Sequence, residues 1–436
     1  MVGSLLKNSV FNLSYRGFNV LYPLITTAYI SRIFLADGVG QIAFAINIVT
    51  YFTLAASLGI PNYAIKVLAR VRNSSRLLDR RFSELAAFIF VSSLVAALLY
   101  GITALLLYRD DKLGLGMSMS LGLMVVSNIF YYDWLFEAVE DFRYLAYRSI
   151  SIKLVALLLM FLTVKTRQDI MSYCMIYAGT TVANNIWNFA SFRCYTHYVA
   201  HELDIRQHFR PVFTLFAAAF ATEVYTLLDS TMLGVMCPPE YLGYYSNASR
   251  VVRASFGMVF AAIAVFNPRL NYLYQTGHLV EYKRLFQRFY HIGMYIAIPI
   301  AAALFILAPL VMTIMFGEAF APAIMTLRML ACLIVFFTLA SVFGHIGLII
   351  YGKERVILLS ALTGAVLNFM LNRMLIPLYM HHGAAVASLI SECVITTLLV
   401  IISLKCCKIE LFNRRIALLV AVSIMLCVGC VLILFP

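Results

Sequence analysis

Charged side chains are scarce in this 436-residue chain, since Lys, Arg, Asp and Glu together make up 12% of it. Soluble globular domains carry about a quarter charged residues, whereas this chain is 63% hydrophobic. At about 20 apolar residues per transmembrane helix, its apolar side chains supply roughly a dozen spans. The composition therefore excludes a cytosolic enzyme, a DNA-binding protein and a secreted disulfide scaffold, and it indicates a polytopic membrane protein.

The sequence also lacks the motifs of a catalytic protein. It has no Walker loop, no dinucleotide-binding glycine pattern and no histidine spacing typical of metal ligands, and His381-His382 read as ordinary loop residues. No long polar loop is present that could hold a catalytic domain. The nine cysteines, most of them in apolar runs, indicate no disulfide framework. We therefore predict a protein that is not an enzyme, with no catalytic residue, metal or cofactor.

Apolar runs separated by short polar breaks predict an all-helical fold, because lipid offers no partners to an unpaired backbone. There are thirteen runs, at about 10–34, 41–62, 83–108, 114–136, 149–165, 170–193, 212–236, 246–270, 290–316, 322–350, 356–379, 383–404 and 416–435. With Lys7, the breaks on one side of the bilayer carry 22 Lys and Arg residues, against five on the other side. The positive-inside rule then places the N-terminus in the cytoplasm. We take the net charge of +13 as orienting the chain in the membrane, with no nucleic acid as partner.

A short motif recurs six spans apart. The segments 37–49 and 240–252 each begin acidic-x-x-Gly, with Ala five residues after the glycine and then a β-branched pair. The glycine suits a tight turn between helices. Because six is an even number, the two halves share one orientation, as in transporters with parallel repeats. The predicted domains are two six-helix bundles, 1–208 and 209–408, with an additional transmembrane helix in 409–436.

Several ionisable residues lie inside the apolar runs. Each costs at least about 2.5–3.5 kcal/mol at a helix centre, so we expect it to face a cavity or a partner. The set comprises five arginines and four acids: Arg16, Arg250, Arg253, Arg328, Arg373, Asp133, Glu223, Asp229 and Glu392. For Arg16, Asp133 and Lys153, a helix-end position that reaches the headgroups is an alternative. Ion pairing between acids and arginines of adjacent spans is a second, purely structural alternative.

The arginine surplus bears on the substrate. Arg250 and Arg253 lie one helical turn apart and share a face. The planar guanidinium fork binds phosphate oxygens in pairs, which the lysine ammonium cannot do. The surplus therefore favours a phosphate-bearing or carboxylate-bearing substrate over a hydrophobic cation.

Six stretches of the chain carry a family resemblance. They are 4–13 with 23–32, ASLGIPNY at 56–63, ATEVYTLLDSTMLG at 221–234 with 243–246, and PRL at 268–270. These stretches resemble the Wzx-type oligosaccharide flippases of the MOP superfamily, to which the MATE exporters also belong. The resemblance spans about residues 4–400. Members of the family usually have twelve or fourteen helices, so the thirteen runs here depart from the pattern.

The resemblance implies a fold and a function. The implied fold is all-α and MATE-like, with two six-helix bundles that form a V around a central cavity. The implied function is a flippase that moves undecaprenyl-pyrophosphate-linked oligosaccharide repeat units across the bacterial cytoplasmic membrane by alternating access, for O-antigen, capsule or exopolysaccharide synthesis. The polyprenyl tail is then expected to stay in lipid. A MATE-like multidrug exporter and a lipid II-type flippase are the alternatives.

Residue roles and partners follow as expectations from this resemblance. Six arginines are expected to contact the pyrophosphate or acidic sugars: Arg16, Arg32, Arg250, Arg253, Arg328 and Arg373. Glu223 and Asp229 are candidates for ion or proton coupling, since an acid beside arginines can exchange a proton as a cavity opens. The expected partners are a polyprenyl-pyrophosphate-linked oligosaccharide, membrane lipids, and a polysaccharide polymerase with its chain-length regulator.

Overall fold

The computed structural model describes residues 2–109, 111–199 and 203–407. Within these ranges the chain is almost entirely helical, which confirms the predicted all-α polytopic fold. The helices are α1 (Val2–Ser57), α2 (Ile60–Val71), α3 (Ser75–Leu107), α4 (Lys112–Ser127), α5 (Asp133–Ala138), α6 (Phe142–Thr163), α7 (Ile170–Ser191), α8 (Arg206–Met236), α9 (Pro239–Ala264), α10 (Asn267–Gln275), α11 (Leu279–Phe316), α12 (Ala323–Ala331), α13 (Leu333–Leu339) and α14 (Glu354–Cys407). The predicted C-terminal helix in 409–436 lies outside the described residues.

Eight helical stretches in the described ranges are long and apolar enough to cross a membrane. The number is nine if α9 and α10, which meet at 41°, form one broken span. The run predicted at 170–193 is α7, which is not among these stretches and contains three polar side chains, Asn184, Asn185 and Asn188. This polarity has a structural use, because the amides of Asn184 and Asn188 bind a buried arginine.

Two long helices, α1 and α14, each contain two of the predicted apolar runs. Leu35 (φ 54°, ψ −168°) interrupts the helical backbone of α1, and Met380 (φ 51°, ψ −128°) interrupts that of α14. A left-handed backbone costs a non-glycine residue about 1–3 kcal/mol, so the surrounding structure must hold it in place. Each interruption falls between two apolar runs, so each long helix is divided where the sequence predicts one span to end.

The chain divides into two compact units by its internal contacts. The first unit contains the chain up to Phe34 together with Gln41–Leu227, and the second contains Leu35–Gly40 together with the chain from Leu228 onward. This division falls inside α8, later than the boundary at 208 that we predict for the two bundles. The bundle boundaries stay a prediction.

Each unit has its own aromatic core. In the first unit, Ile60, Ala64 and Leu68 recur every four residues on α2, are fully buried, and pack with Phe82 and Trp134. In the second unit, the buried face of α11, with Tyr282, Phe286 and Phe289 among others, packs against Phe343 and its neighbours in the π-helical stretch Ala340–Leu348. The helical spacing of apolar residues therefore also determines which face of each helix is buried in the protein interior.

The two copies of the repeated motif meet inside the second unit. A Cβ atom on Gly40 would clash with the carbonyl of Pro239, and one on Gly243 would clash with the carbonyl of Ala36. Both glycines lie within helices, so our expectation of a turn at these positions is wrong. Their shared role is a close approach of two backbones, which small residues permit in membrane proteins.

Replacement of Gly243 with leucine is expected to destabilise the protein by about 3 kcal/mol or more. The new side chain would meet backbone atoms, which cannot rotate away. The loss of stability should therefore lie at the upper end of the range measured for overpacked cores. The measurement is the melting temperature in detergent, followed by fluorescence-detected size exclusion. Gly257→Leu is the matched control, because Gly257 also lies in α9 but has open space around it. Equal melting temperatures of the two variants would contradict the close approach of the two backbones.

Candidate functional site

Asp229 is the centre of a polar cluster in the second unit. Its Oδ2 accepts hydrogen bonds from the Tyr245 hydroxyl at 2.7 Å and from the Ser388 hydroxyl. Its Oδ1 accepts from Nδ2 of Asn372 at 2.6 Å and from Nδ2 of Asn368 at 3.0 Å. These donors come from α9 and from both halves of α14. The fold therefore joins three separate stretches of sequence around one carboxylate.

The four donors to Asp229 are all neutral. They orient the carboxylate, but they add no positive charge to balance it. Asn372 is fully buried, and its Oδ1 atom has no hydrogen-bond partner although its Nδ2 binds Asp229. Two acidic oxygens and a spare amide oxygen thus lie in one apolar helical region. Such a group of acceptors can bind a small cation or a further hydrogen-bond donor, because either one would offset a charge that is costly in a membrane.

Glu223, the other acid predicted to couple transport, lies six residues before Asp229 in α8. It is half-buried, and by its contacts it belongs to the first unit. The donors that surround Asp229 all belong to the second unit. The structure therefore distinguishes the two acids, and the cluster singles out Asp229.

Three of the predicted arginines have described surroundings in the second unit. Arg328 is 6% exposed, and its Nε donates to the backbone carbonyl of Phe305 at 3.3 Å. Its guanidinium lies 5.6 Å from the centre of the Phe305 ring. Arg250 is half-buried, while Arg253 is exposed with its Nε bonded to the Ser249 hydroxyl at 3.2 Å. Arg250 and Arg253 thus lie one turn apart on α9, as predicted, whereas Arg328 packs against α11.

The remaining predicted arginines are more scattered. Arg32 in α1 and Arg373 in α14 are both exposed, and Arg32 belongs to the first unit. Arg16 lies in α1, and its side chain is outside the described part of the structure. A common substrate site for all six arginines stays a prediction.

The first unit contains a buried arginine that lies, in the sequence, in the polar break just before the apolar run 149–165. Arg148 is 1% exposed and lies in α6. Its Nη2 pairs with Oδ1 of Asp133 at 2.8 Å, its Nε donates to Oδ1 of Asn184 at 3.0 Å, and its Nη1 donates to Asn188. Asn188 also donates to Asp133, at 2.6 Å. Asp133, the first residue of α5, is thus ion-paired with an arginine of the next helix, which is the structural alternative raised for the charges inside the apolar runs.

Lys153 lies further along the same helix. Its ammonium lies 5.5 Å from the centre of the Tyr22 ring, within range of a cation–π interaction. Arg148 and Lys153 are thus both held by partners in the first unit. The asparagines at a four-residue spacing in α7 are the sequence signal that could have revealed the Arg148 cluster.

A third polar cluster holds the segment before α8 against α3. Glu84 is fully buried and accepts hydrogen bonds from Arg81 at 2.8 Å and from the backbone amide of Asp204 at 2.9 Å. His208 Nε2 lies 2.8 Å from the same carboxylate, and its Nδ1 lies 2.9 Å from the Tyr63 hydroxyl. Each polar atom here has a partner within the first unit, which indicates a structural role.

In the part of the chain that the structure describes, no group of three or more His, Cys, Asp or Glu side chains is placed to hold a metal ion. His381 and His382 lie together, with ring centres 4.0 Å apart, and His382 Nδ1 contacts the Thr326 hydroxyl at 3.1 Å. They lie at the break in α14, and not in the loop that we expected.

Comparisons with known proteins agree with this architecture. Residues 5–273 match the polysaccharide biosynthesis protein family. A putative O-antigen transporter of Escherichia coli (strain K12) is 22% identical over 411 residues, covering 91% of this chain and 96% of that protein.

Solved structures with the same fold are more distant in sequence. A MATE family multidrug resistance transporter of the MOP superfamily, inward-facing, has a TM-score of 0.63 at 13% identity and covers 94% of this chain and 98% of its own. The lipid II flippase MurJ, in an inward closed conformation, has a TM-score of 0.61 at 14% identity and covers 95% of this chain and 99% of its own. The MOP-type fold suggested by the sequence is therefore confirmed, and because the family match covers more than half of its length, this chain belongs to the polysaccharide biosynthesis protein family.

Proposed function

We propose that this protein is a flippase that moves polyprenyl-pyrophosphate-linked oligosaccharide repeat units across the bacterial cytoplasmic membrane, for the synthesis of a surface polysaccharide. The observation that carries the proposal is its membership of the polysaccharide biosynthesis family, together with similarity over nearly the whole chain to a putative O-antigen transporter. The fold is also that of a multidrug transporter and of a lipid II flippase, so it suits the passage of bulky amphiphiles.

Asp229 is the proposed coupling group. Its carboxylate is surrounded by neutral donors from α9 and α14, so binding of a proton or cation would change its hydrogen bonds to both helices. Since the charge and the bonds change together, ion binding can favour one arrangement of these helices over another. Glu223 is the weaker candidate, because it lies outside this cluster.

Arginines are the proposed ligands of the pyrophosphate. Arg250 and Arg253 are the strongest pair, since they are one turn apart and at least partly accessible. Arg16, Arg32, Arg328 and Arg373 are proposed as further contacts to phosphate or acidic sugars. The chemistry is binding alone, and the oligosaccharide leaves unaltered, so we propose no catalytic step.

The organisation of the protein in the membrane follows from the same proposal. The bundles 1–208 and 209–408 are proposed to give alternating access to the substrate, and the segment 409–436, predicted as one further helix, lies outside the described residues. The N-terminus lies in the cytoplasm, as the Lys and Arg distribution indicates. A polysaccharide polymerase and its chain-length regulator receive the repeat units on the other side.

The test is complementation in the source bacterium. A strain that lacks the gene should lose its surface polysaccharide and accumulate the lipid-linked repeat unit inside, and the wild-type protein should restore both. Normal surface polysaccharide in the deletion strain would contradict the proposal. Sensitivity to cationic drugs without a polysaccharide defect would indicate a multidrug exporter, and accumulation of lipid II would indicate a cell-wall precursor flippase.

A further inference from the structure

The first unit contains an apolar groove of about 460 Å³, formed by α1, α3 and the start of α8. Its lining on α3 extends from Ala87 to Leu99, which is roughly 18 Å at 1.5 Å per residue. The groove is open along one side, where Val91, Val95 and Phe213 are 60%, 53% and 47% exposed. It is therefore long and narrow, and it is accessible from the surroundings of the first unit.

The lining offers no polar group to a ligand. Ser92 is the one polar side chain among the residues that line the groove. Its hydroxyl already donates to backbone carbonyls, to that of Ala56 at 2.5 Å and to that of Phe88 at 2.9 Å. A ligand in the groove can gain only dispersion contacts and apolar burial. The occupant is therefore a hydrocarbon chain.

The wall contributed by α8 has cations beside it. Arg206, Phe209, Arg210 and Phe213 recur at spacings of three and four, which places them on one face of α8. Both phenylalanines line the groove, and Phe209 meets Phe88 edge-on at 4.8 Å between ring centres. Both arginines are exposed. A hydrocarbon groove beside two guanidinium groups is complementary to an amphiphile with a phosphate headgroup.

The relief of the groove favours a branched chain over a linear one. The lining combines alanines at 55, 87 and 96 with the rings of Phe52, Phe88 and Phe209, and a wall built from side chains of such different size is recessed at the small ones. Methyl branches at regular intervals can fill such recesses, whereas a linear acyl chain leaves voids that lose dispersion contacts. Isoprenoid chains have these branches.

We infer that the groove binds the isoprenoid tail of a polyprenyl-phosphate lipid, with the phosphate at Arg206 and Arg210. This inference rests on the proposed function, which supplies a polyprenyl-linked substrate. It assigns the tail a defined site on α1, α3 and α8, whereas the family resemblance implied only that the tail stays in lipid.

The test is photolabelling of the full-length protein in vesicles of phosphatidylethanolamine and phosphatidylglycerol. The probe is undecaprenyl phosphate with a diazirine on its tail, and the labelled residues are identified by mass spectrometry. We expect labelling within 87–99 and 205–213, with competition by excess unlabelled undecaprenyl phosphate. Val95→Trp should fill the groove and lower the labelling at least fivefold.

Leu94→Trp is the matched control, because Leu94 is the neighbouring residue, is 48% exposed and does not line the groove. It should label like the wild type. The double variant Arg206→Gln with Arg210→Gln leaves the groove intact and should lower the labelling through loss of the phosphate contact. If Val95→Trp does not fold, this second variant decides the outcome.

Two results would overturn the inference. Equal competition by added phosphatidylglycerol would make the groove a phospholipid site, and labelling confined to other segments would place the tail elsewhere. Complementation of the deletion strain distinguishes a wrong tail site from a wrong proposed function. If the protein restores surface polysaccharide but is not labelled in the groove, only the tail site is excluded. If it is labelled in the groove but does not support polysaccharide synthesis, the flippase assignment is excluded.

Discussion

Replacement of Asp229 with asparagine is expected to reduce surface polysaccharide at least tenfold while the protein remains in the membrane. The amide cannot carry the negative charge that a coupling ion would neutralise. It would also turn a donor towards Asn368, Asn372, Tyr245 or Ser388, which now all donate to the carboxylate. Hydrogen bonds to a charged group contribute about 1.5–3 kcal/mol each, so the cluster should lose its present arrangement. The measurement is polysaccharide per cell, normalised to the amount of protein in the membrane.

A structural role alone could also reduce transport in this variant, so the experiment needs a second measurement. Flipping in vesicles under an imposed sodium or proton gradient should respond to one of them in the wild type and to neither in Asp229→Asn. Ser388→Ala is the matched control, since it removes one donor and retains the charge, and it should stay gradient-dependent. Wild-type polysaccharide levels in Asp229→Asn would exclude the coupling role. Glu223→Gln, measured in the same assays, is expected to be as active as the wild type.

Simultaneous replacement of Arg250 and Arg253 with alanine is expected to abolish surface polysaccharide. If each guanidinium makes one charge-assisted bond of about 1.5 kcal/mol to the pyrophosphate, the loss of both lowers affinity by about a hundredfold. Replacement of both by lysine keeps the charge but removes the planar fork, so an intermediate level is expected. The measurement is again surface polysaccharide, with accumulation of the lipid-linked repeat unit as the complementary readout.

Arg284 and Arg288 provide the control for net charge. Both lie on α11 in the second unit, both are exposed, and they are also one turn apart. Their double replacement with alanine removes the same two charges and should leave polysaccharide unchanged. A normal level in the Arg250 and Arg253 variant, or an equal loss in the control, would remove the pair from the substrate site.

Much of the fold could be predicted from composition and periodicity. An apolar run long enough to cross a bilayer must be helical, because every backbone donor and acceptor has to be satisfied within the run. That constraint is local, so it can be deduced from a single sequence. It predicted the runs that appear as α3 and α11, and it also predicted the two divisions that the structure places at Leu35 and Met380.

The polar clusters could be predicted only in part. Asp229 and Asp133 were noticed because a charge inside an apolar run is unusual. Their partners Asn368, Asn372 and Asn188 were missed, because a neutral amide in such a run gives little signal. Arg148 was counted with a polar break, although it is fully buried. Pairing between helices depends on which faces meet, and this is not a property of any one run.

The sequence by itself determined that this is an all-helical membrane protein, because hydropathy and helix length are set by the residues of each segment alone. The tertiary structure decided which polar side chains work together. Gly40 and Gly243 were recognised as a repeat, yet only packing shows that they permit backbones to touch. Asp229 and Asn372 lie 143 residues apart, and a hydrogen bond of 2.6 Å joins them. Such contacts arise from the folding of distant segments onto each other, which local patterns do not specify.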